Sequence, residues 1–577
     1  MRHLSRFQKL LVALFLAAVF FAAWNQLKES DSFYHLKTGQ VIWETQSVPR
    51  TDIFSSTAHG VPWVTHEWLA ALLFYGAYSL GGLAGSPQAG FAALTAFVAA
   101  LAALTYALLF LTALRRFSPQ TGGGANVYVT LAVAAALGAL TFELWIPRPQ
   151  VFAFFACALL LFFLEGFRRR AAGEVAQGGQ GGSARMLVGA VLTIWFWANV
   201  HASVLLGLVL MLIYTLLETL KLRWPHLGEA LPRGAARLLA LATGAAIAVS
   251  FLNPNSYDIF LYRFYVTQGV EQLGVLEWKS IFDFLYQWQA IVFLALLAVS
   301  LAVVAWWRWR RESRDATPLV VLAAVACLPL LSIRHVGWWP LVAVPPVALV
   351  LSGAGEKLLR RVSPRALRRG FFAGLAVWLF FLMLHIPKNF VRRDLLPVGV
   401  ADFILANDIR GPIFNLYNEG GYLIWRLWPK ILVFVDGRSE VFGGTPLADL
   451  VRIVKRGREW DTVLLGKYGV NLAILPYQPE SLSRDTGPLS FELGRRGFHL
   501  VYWDDVAMLL VRETLENGDF IGTYRFASIH PLRDPKMIPL EERRQAGLEI
   551  QALLARAPES RNVQQYAKDF LRGAAGE

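Results

Sequence analysis

The first two thirds of the chain alternate between long apolar runs and short polar or basic segments. An apolar run of about 17 to 25 residues is long enough to cross a bilayer as one α-helix. Eleven runs predict such helices, near residues 8–26, 89–114, 127–144, 150–167, 187–199, 202–220, 234–251, 289–307, 318–333, 338–353 and 370–386. A further apolar segment at 69–83 is interpreted as a membrane-surface or re-entrant helix, because counting it as a span reverses the orientation of every later span.

The pattern changes after Pro387, where short apolar runs alternate with amphipathic segments. Strands are predicted at 413–416, 431–435, 472–475, 498–503 and 506–511, and helices at 447–467 and 540–571. The last two strands flank Asp504-Asp505 and predict a hairpin. The sequence therefore predicts a polytopic α-helical membrane module at 1–387 with an outer loop at 28–67, an extracytoplasmic α/β domain at 388–530 and a helical tail at 531–577.

Composition and charge support a membrane protein. Only 17% of the 577 residues are charged, against about 25% in soluble proteins, and the mean hydropathy is +0.44. The net charge of +14 comes from basic clusters between apolar runs, which are typical of cytoplasmic loops, so no nucleic-acid partner is expected. These clusters predict a multi-pass protein of the cell's inner (cytoplasmic) membrane, with a cytoplasmic N-terminus and the C-terminal domain outside. Cys157 and Cys327 lie in apolar runs, so no disulfide is expected.

One polar stretch, from Leu27 to Glu67, interrupts the apolar opening and concentrates acids and histidines. Ionisable residues at a membrane surface are candidates for chemistry. Glu29 and Asp31 precede a segment that predicts a short amphipathic helix in the interface. Asp31 can act as a general base for an acceptor hydroxyl, with Glu29 tuning its pKa or holding a metal. Alternatively, Asp31 or Ser32 simply caps the helix.

Histidines supply further candidates. His35, His66 and Glu67 offer imidazole and carboxylate ligands for a divalent metal, but their spacing matches no tight metal motif, and ordinary hydrogen bonding explains them as well. His201 lies at a turn between two predicted spans, where it either lines a cavity or makes a polar contact between helices.

Two arginines lie at predicted outer ends of spans. Arg148 is held between two prolines, and Arg334 precedes a histidine. Each can form a bidentate clamp on a phosphate or anchor its helix end at the interface. We expect Asp31, Arg148 and at least one of His66 or Arg334 to face one shared outward cavity, since a charge in a membrane protein needs water, a partner or a ligand.

Two turns of the predicted α/β domain also stand out. The segments 418–422 and 435–440 each place glycine beside acidic and polar residues at the end of a predicted strand; they contain Glu419, and Asp436 and Arg438, respectively. This is a usual place for a binding loop in an α/β domain. Ordinary turn chemistry explains the glycines equally well.

The chain thus has a first span, a long outer loop that opens with Glu29 and Asp31, many further spans and an outer soluble domain. This layout resembles the GT-C superfamily of integral-membrane glycosyltransferases, which includes protein O-mannosyltransferases, the lipid A aminoarabinose transferase and oligosaccharyltransferases. The segments PRTDIFS and PWVTHEW, with RPQ, NVH and the VDGRSE region, look like those of a bacterial set of GT-C-like membrane proteins. The resemblance covers most of residues 1–480.

The resemblance implies an activity. In GT-C enzymes an acidic residue of the first outer loop serves as the catalytic base or orients the acceptor, which points to Asp31, with Glu29 in support. The donor is usually a sugar on a polyprenyl phosphate, and the acceptor is here expected to be a lipid, a glycan or a protein. The alternative is a non-enzymatic lipid or polysaccharide transporter or assembly factor, which predicts polar residues on both membrane faces. Their predicted clustering on one face favours the enzyme.

Overall fold

The computed structural model describes residues 4–115, 125–177, 182–262, 266, 276–310, 315–354, 363–384, 386–477 and 487–575. Contacts divide the described residues into two compact units. The helical unit lies within 1–27, 65–261 and 275–390, and the α/β unit within 28–64, 262–274 and 391–577. Most of the outer loop therefore groups with the C-terminal part of the chain. The domain boundaries at 387 and 530 stay predictions.

Each of the eleven apolar runs in the helical unit contains a helix. The helices are Arg6–Ala23, Pro87–Arg115, Val127–Gly138, Gln150–Gln177, Gly182–Val200, Val204–Lys221, Arg233–Ser250, Trp288–Trp309, Thr317–Leu331, Trp338–Ala354 and Pro364–Leu384. Among the described residues, six helices are long and apolar enough to cross a membrane: Arg6–Ala23, Pro87–Leu114, Gln150–Ala172, Gly182–Val200, Val204–Lys221 and Trp288–Trp309. A mostly helical membrane protein is thus supported, whereas the number of eleven spans stays a prediction.

The segment near 69–83 forms the helix Trp68–Gly82, which has 15 residues. At 1.5 Å per residue it measures about 22 Å, less than a hydrocarbon core of about 30 Å. It packs closely against Pro87–Arg115, because a Cβ atom at Gly81 would overlap Ala93 and one at Gly90 would overlap Tyr78. Its placement at the membrane surface stays a prediction.

Two cations of the predicted cytoplasmic clusters are ion-paired inside the helical unit. Arg168 contacts Glu218 at 2.9 Å and Asp315 at 2.7 Å. Lys221 contacts the same two carboxylates at 2.7 and 2.8 Å. These residues therefore join the helices Gln150–Gln177 and Val204–Lys221 to the segment before Thr317–Leu331, a role that the sequence pattern did not indicate.

The core of the α/β unit is a four-stranded sheet. Its strands are β1 (Ile413–Phe414), β2 (Leu472–Pro476), β3 (Phe498–Trp503) and β4 (Ala507–Arg512), in the order β1-β2-β4-β3. β1 is parallel to β2, and the pairs β2/β4 and β3/β4 are antiparallel. The predicted hairpin is confirmed, and Asp504 closes its turn by accepting hydrogen bonds from the backbone N–H groups of Val506 and Ala507.

The rest of the regular structure described in the α/β unit is helical. The α-helices are Asp31–Thr45, Val398–Ala406, Gly420–Leu427, Ser439–Phe442, Gly444–Val454, Gly487–Gly494, Gly518–Tyr524, Leu540–Arg556 and Arg561–Ala575, with a π-helix at Thr462–Lys467. The predicted helical tail thus forms two helices. The second is fixed by Asp505, which accepts hydrogen bonds from the N–H groups of Arg561 and Asn562.

The strand predicted at 431–435 is wrong. Val433 donates its N–H to Phe54 O at 3.1 Å, and its carbonyl accepts the N–H of Ser56 at 2.8 Å. Thr57 Oγ1 donates to Phe434 O at 2.6 Å. The backbone of this apolar segment therefore bonds to the outer loop within the α/β unit and does not extend the sheet.

The helix predicted after Asp31 is present, but it is not an isolated surface helix. Its polar side chains His35, Lys37 and Thr38 are buried. The Lys37 ammonium lies 4.9 Å from the ring centre of Trp425, and burial lowers the pKa of Lys37. Since these polar residues pack within the α/β unit, the expectation of an amphipathic interface helix is wrong here.

Candidate active site

The turn Glu29–Ser32, here named the acidic turn, is docked on the turn 418–422 of the α/β unit. Ser30 Oγ accepts a hydrogen bond from the N–H of Tyr422 at 2.8 Å. A Cβ atom at Gly421 would overlap the carbonyl oxygen of Ser30, so only glycine permits this approach. Phe33 packs edge-on against Tyr422, with ring centres 4.9 Å apart. The first turn of the helix is thereby fixed in place.

Asp31 is the first residue of this helix, and Ser30 occupies the capping position without a side-chain capping bond. The helix therefore begins one residue earlier than a cap at Asp31 requires and two residues earlier than a cap at Ser32 requires. The segment 435–440, here named the DGR turn, lies directly against the Asp31 carboxylate, because a Cβ atom at Gly437 would overlap Asp31 Oδ1. The acidic turn and the DGR turn, which are far apart in sequence, thus meet at this carboxylate.

Tyr417 lies at the same meeting point. Its hydroxyl donates a hydrogen bond to Gly437 O at 2.7 Å. Burial, followed by the charges of Asp31 and Glu440, raises the pKa of Tyr417 well above its ordinary value. The Tyr417 hydroxyl therefore keeps its proton at neutral pH, in a field set by these carboxylates.

Arg438 holds the DGR turn to the outer loop. Its Nη2 lies 2.8 Å from Asp52 Oδ1 and 2.6 Å from Asp436 Oδ2, and its Nε lies 2.8 Å from Asp436 Oδ1. The exposed fraction of these side chains is 1% for Arg438 and 0% for both acids. Burial opposes the charge on Arg438, but the two carboxylates outweigh it and raise the pKa of its guanidinium. We name this group the arginine clamp.

Each end of the arginine clamp has local support. Asp52 also accepts hydrogen bonds from the N–H of Phe54 at 3.2 Å and of Ser55 at 3.0 Å. The guanidinium carbon of Arg438 lies 4.5 Å from the ring centre of Trp63 and 5.1 Å from that of Phe54. The buried cation is therefore held by carboxylates and by aromatic faces.

Glu419 precedes the helix Gly420–Leu427 and is the second unusual acid of this region. Its Oε2 is buried and has no hydrogen-bond partner among the described residues. Burial raises the pKa of Glu419 to about 7. A Cβ atom at Gly420 would overlap Val435 O, so the backbone next to Glu419 packs on the DGR turn. Glu419 thus changes protonation near neutral pH beside the turn that carries Asp436 and Arg438.

Other predicted residues meet in the helical unit. Glu67 Oε1 lies 3.2 Å from His66 Nε2 and 3.6 Å from His201 Nε2. His201 Nδ1 accepts the N–H of Ser203 at 3.0 Å, so in neutral His201 the proton is on Nε2 and faces Glu67. Among the described residues, no group of three or more His, Cys, Asp or Glu side chains is arranged to hold a metal ion. His35 belongs to the α/β unit with Asp31.

The two predicted phosphate-binding arginines share one carboxylate in the helical unit. Arg148 Nη1 lies 3.3 Å from Glu277 Oε2, and Arg334 Nη1 lies 3.9 Å from Glu277 Oε1. The sequence marks Glu277 only as part of a polar interruption between apolar runs and assigns it no role. Asp52 and Tyr417 were likewise not assigned to the site, because only their long-range contacts reveal a role.

The fold is that of solved oligosaccharyltransferases from Archaeoglobus fulgidus. The apo form superposes with a TM-score of 0.56 at 12% identity, over 89% of this chain and 75% of that chain. A complex with an inhibitory peptide and a dolichol-phosphate gives 0.57 at 11% identity, over 88% and 75%. A complex with Zn and sulfate gives 0.57 at 13% identity, over 88% and 73%. The chain has the GT-C fold.

This fold agrees with the resemblance drawn from the sequence. No protein-family model and no curated protein matches the sequence. In this chain the segment 28–64 belongs to the α/β unit, and Ser30 and Asp52 bond it to the turns 418–422 and 435–440. Roles for individual residues therefore have to be argued from their own contacts.

Proposed function

We propose that the protein is a GT-C-type membrane glycosyltransferase that transfers a sugar from a polyprenyl-phosphate-linked donor to an acceptor on the extracytoplasmic face of the membrane. One observation carries the proposal: the Asp31 carboxylate is held against Gly437, where the acidic turn meets the DGR turn. The GT-C fold also supports a membrane glycosyltransferase. One solved oligosaccharyltransferase is in complex with a dolichol-phosphate and an inhibitory peptide, which supports a lipid-phosphate donor.

The proposed reaction is a single displacement. An acceptor oxygen or nitrogen attacks the anomeric carbon of the sugar, the bond from that carbon to the phosphate oxygen breaks, and the phosphate leaves as an anion. Asp31 removes the acceptor's proton as general base. Arg148 and Arg334 balance the charge of the leaving phosphate. The reaction therefore requires a positioned base for the acceptor and positive charge near the leaving phosphate.

The surroundings of Asp31 suit a base that must meet an acceptor. Asp31 is partly exposed, whereas Ser30 and Ser32 on either side of it are buried. An acceptor can reach Asp31 because the residue is partly exposed, while the buried neighbours fix its backbone. The arginine clamp fixes the opposite side, because Gly437 stands between Asp436 and Arg438 in the chain. Such rigid support is what a catalytic group requires, since a displacement of 1 Å can cost about a hundredfold in rate.

The acceptor in this proposal is a lipid, a glycan or a protein. A peptide has the most support, because one solved neighbour of the same fold carries an inhibitory peptide. The divalent metal that the sequence leaves open would draw on the carboxylates of Glu29 and Asp31. Carboxylate oxygens and imidazole nitrogens are common ligands for such ions.

The experiment is a donor-consumption assay on the full chain in proteoliposomes. A panel of polyprenyl-phosphate hexoses labelled in the sugar is offered with peptide, lipid and glycan acceptors, and release of free polyprenyl phosphate is measured. Asp31→Asn is expected to lower the release by at least about a hundredfold, a typical contribution of a positioned base. The matched control Asp519→Asn changes an exposed acid of the same unit and should leave release unchanged. Equal release by Asp31→Asn and the control would show that Asp31 is not the base.

A further inference from the structure

Glu277 lies between the two arginines that the proposed function assigns to the donor phosphate. One oxygen of its carboxylate faces Arg148 at 3.3 Å, and the other faces Arg334 at 3.9 Å. A single anion thus bridges two guanidinium groups with one oxygen each. Phosphate oxygens bind two arginines in the same way.

The backbone around Glu277 is tied down, while its side chain is not enclosed. Ser332 Oγ donates to Glu277 O at 2.8 Å, and the N–H of Ile333 donates to Lys279 O at 2.8 Å. The Glu277 side chain is 40% exposed. Its carboxylate can therefore rotate into solvent while the short helix Leu276–Trp278 stays in place.

The arginines are held independently of Glu277. The guanidinium carbon of Arg334 lies 4.4 Å from the ring centre of Trp278, and the carbonyl of Arg334 accepts a hydrogen bond from Gln150 at 3.3 Å. Arg148 lies between Pro147 and Pro149, which restrict its backbone. If Glu277 turned away, the contact with Trp278 would still hold the guanidinium of Arg334, and the two prolines would still hold the backbone of Arg148.

Charge favours an exchange. Both arginines contact the same carboxylate. Burial opposes ionisation of Glu277, but the charges of Arg148 and Arg334 outweigh it and lower the pKa of Glu277, so it is a carboxylate at neutral pH. A phosphate carries more oxygens and at least as much negative charge, and it therefore competes well for two arginines.

We propose that Glu277 is an exchangeable internal anion: it occupies the place of the donor's phosphate between Arg148 and Arg334 in the unloaded protein and is displaced when a phosphate group binds. This inference rests on the proposed function, because it assumes that the two arginines receive that phosphate. It adds a step of regulation. Glu277 pairs with the arginines between turnovers, and it lowers their affinity for the polyprenyl phosphate product.

The test is a binding measurement on the purified full chain in detergent, with farnesyl phosphate as the probe and inorganic phosphate as competitor. Glu277→Gln removes the competing charge and should tighten farnesyl phosphate binding by about twofold to fivefold, the range expected for a partly exposed ion pair. Arg148→Ala and Arg334→Ala should each weaken it by about tenfold. Glu229→Gln, which changes an exposed acid of the same unit, should have no effect.

The outcomes distinguish the exchange of Glu277 from the role of the two arginines in binding the donor phosphate. If Glu277→Gln weakens binding or leaves it unchanged while the arginine variants weaken it, Glu277 is a fixed part of the site and the exchange is overturned. If the arginine variants leave binding unchanged, the donor-phosphate role in the proposed function fails. Thermal unfolding of each variant shows whether a change in binding reflects misfolding. Glu277→Asp keeps the charge and serves as a second variant, which should bind farnesyl phosphate within about twofold of the natural chain. Displacement by inorganic phosphate identifies the headgroup, and not the lipid, as what the arginines bind.

Discussion

Arg438 Nη2 lies 2.8 Å from Asp52 Oδ1, joining the first outer loop to the DGR turn, which lies between β1 and β2 in the chain. The contact is buried at both ends and shared with Asp436. It places the DGR turn against the carboxylate of Asp31, since Gly437 is the residue between Asp436 and Arg438. The arrangement of the proposed base therefore depends on a long-range ion pair.

Breaking the arginine clamp should destabilise the α/β unit strongly. Arg438→Met leaves Asp52 and Asp436 buried without their cation, and removal of one partner of a buried ion pair costs about 3–5 kcal/mol. The free energy of unfolding can be measured by pulse proteolysis in urea on the detergent-solubilised chain. Arg410→Met is the control, because Arg410 pairs with Asp408 at an exposed position, where an ion pair contributes about 0–1 kcal/mol. A loss no larger than that of the control would contradict a structural role for the clamp.

Gly437→Ala should impair transfer more than it impairs folding. The added methyl group overlaps Asp31 Oδ1, so the carboxylate must move from its place, and a displacement of about 1 Å can lower a rate about a hundredfold. The donor-consumption assay and thermal unfolding are measured side by side. Gly522→Ala serves as the control, because a Cβ atom there meets nothing within 4 Å. Normal turnover of Gly437→Ala would show that the position of Asp31 is not critical.

Glu419 should make the stability of the α/β unit depend on pH. Burial raises the pKa of Glu419 from 4.5 to about 7 in the folded protein, so the folded state binds a proton that the unfolded state releases. The free energy of unfolding therefore falls as pH rises from about 4.5 to 7 and is unaffected by this group outside that window. Glu419→Gln removes this pH dependence. The melting temperature of the variant minus that of the natural chain should therefore increase from pH 5 to pH 8. Glu516→Gln changes an exposed site, so its melting temperature should differ from that of the natural chain by the same amount at every pH. The same result for Glu419→Gln would refute the raised pKa of Glu419.

The C-terminal unit is predicted to lie outside the cytoplasm, because the basic clusters and the odd number of predicted spans place it there. A fluorescent protein that matures only in the cytoplasm should stay dark when fused after residue 577. The same reporter fused after Arg223, at a predicted inner loop, should fluoresce. Fluorescence of the C-terminal fusion would reverse the predicted orientation.

The sequence by itself determined the helices of the membrane module and the β3/β4 hairpin. Long apolar runs can satisfy their backbone hydrogen bonds in a bilayer only as helices or closed barrels, so run length and composition sufficed. Two strands around Asp504-Asp505 follow from local alternation and turn chemistry in the same way. The same local signals marked Asp31, Asp436 and Arg438 as unusual residues.

The tertiary structure alone decided which of these residues meet. The segment 431–435 has the composition of a strand, but its backbone bonds to Phe54 and Ser56, which no local pattern encodes. Asp52 and Glu277 looked like ordinary loop acids, yet one completes the arginine clamp and the other bridges two arginines. Periodicity reports only which side of an element is buried. The partner of a buried charge is set by the packing of distant segments, because an unpaired charge is too costly to bury.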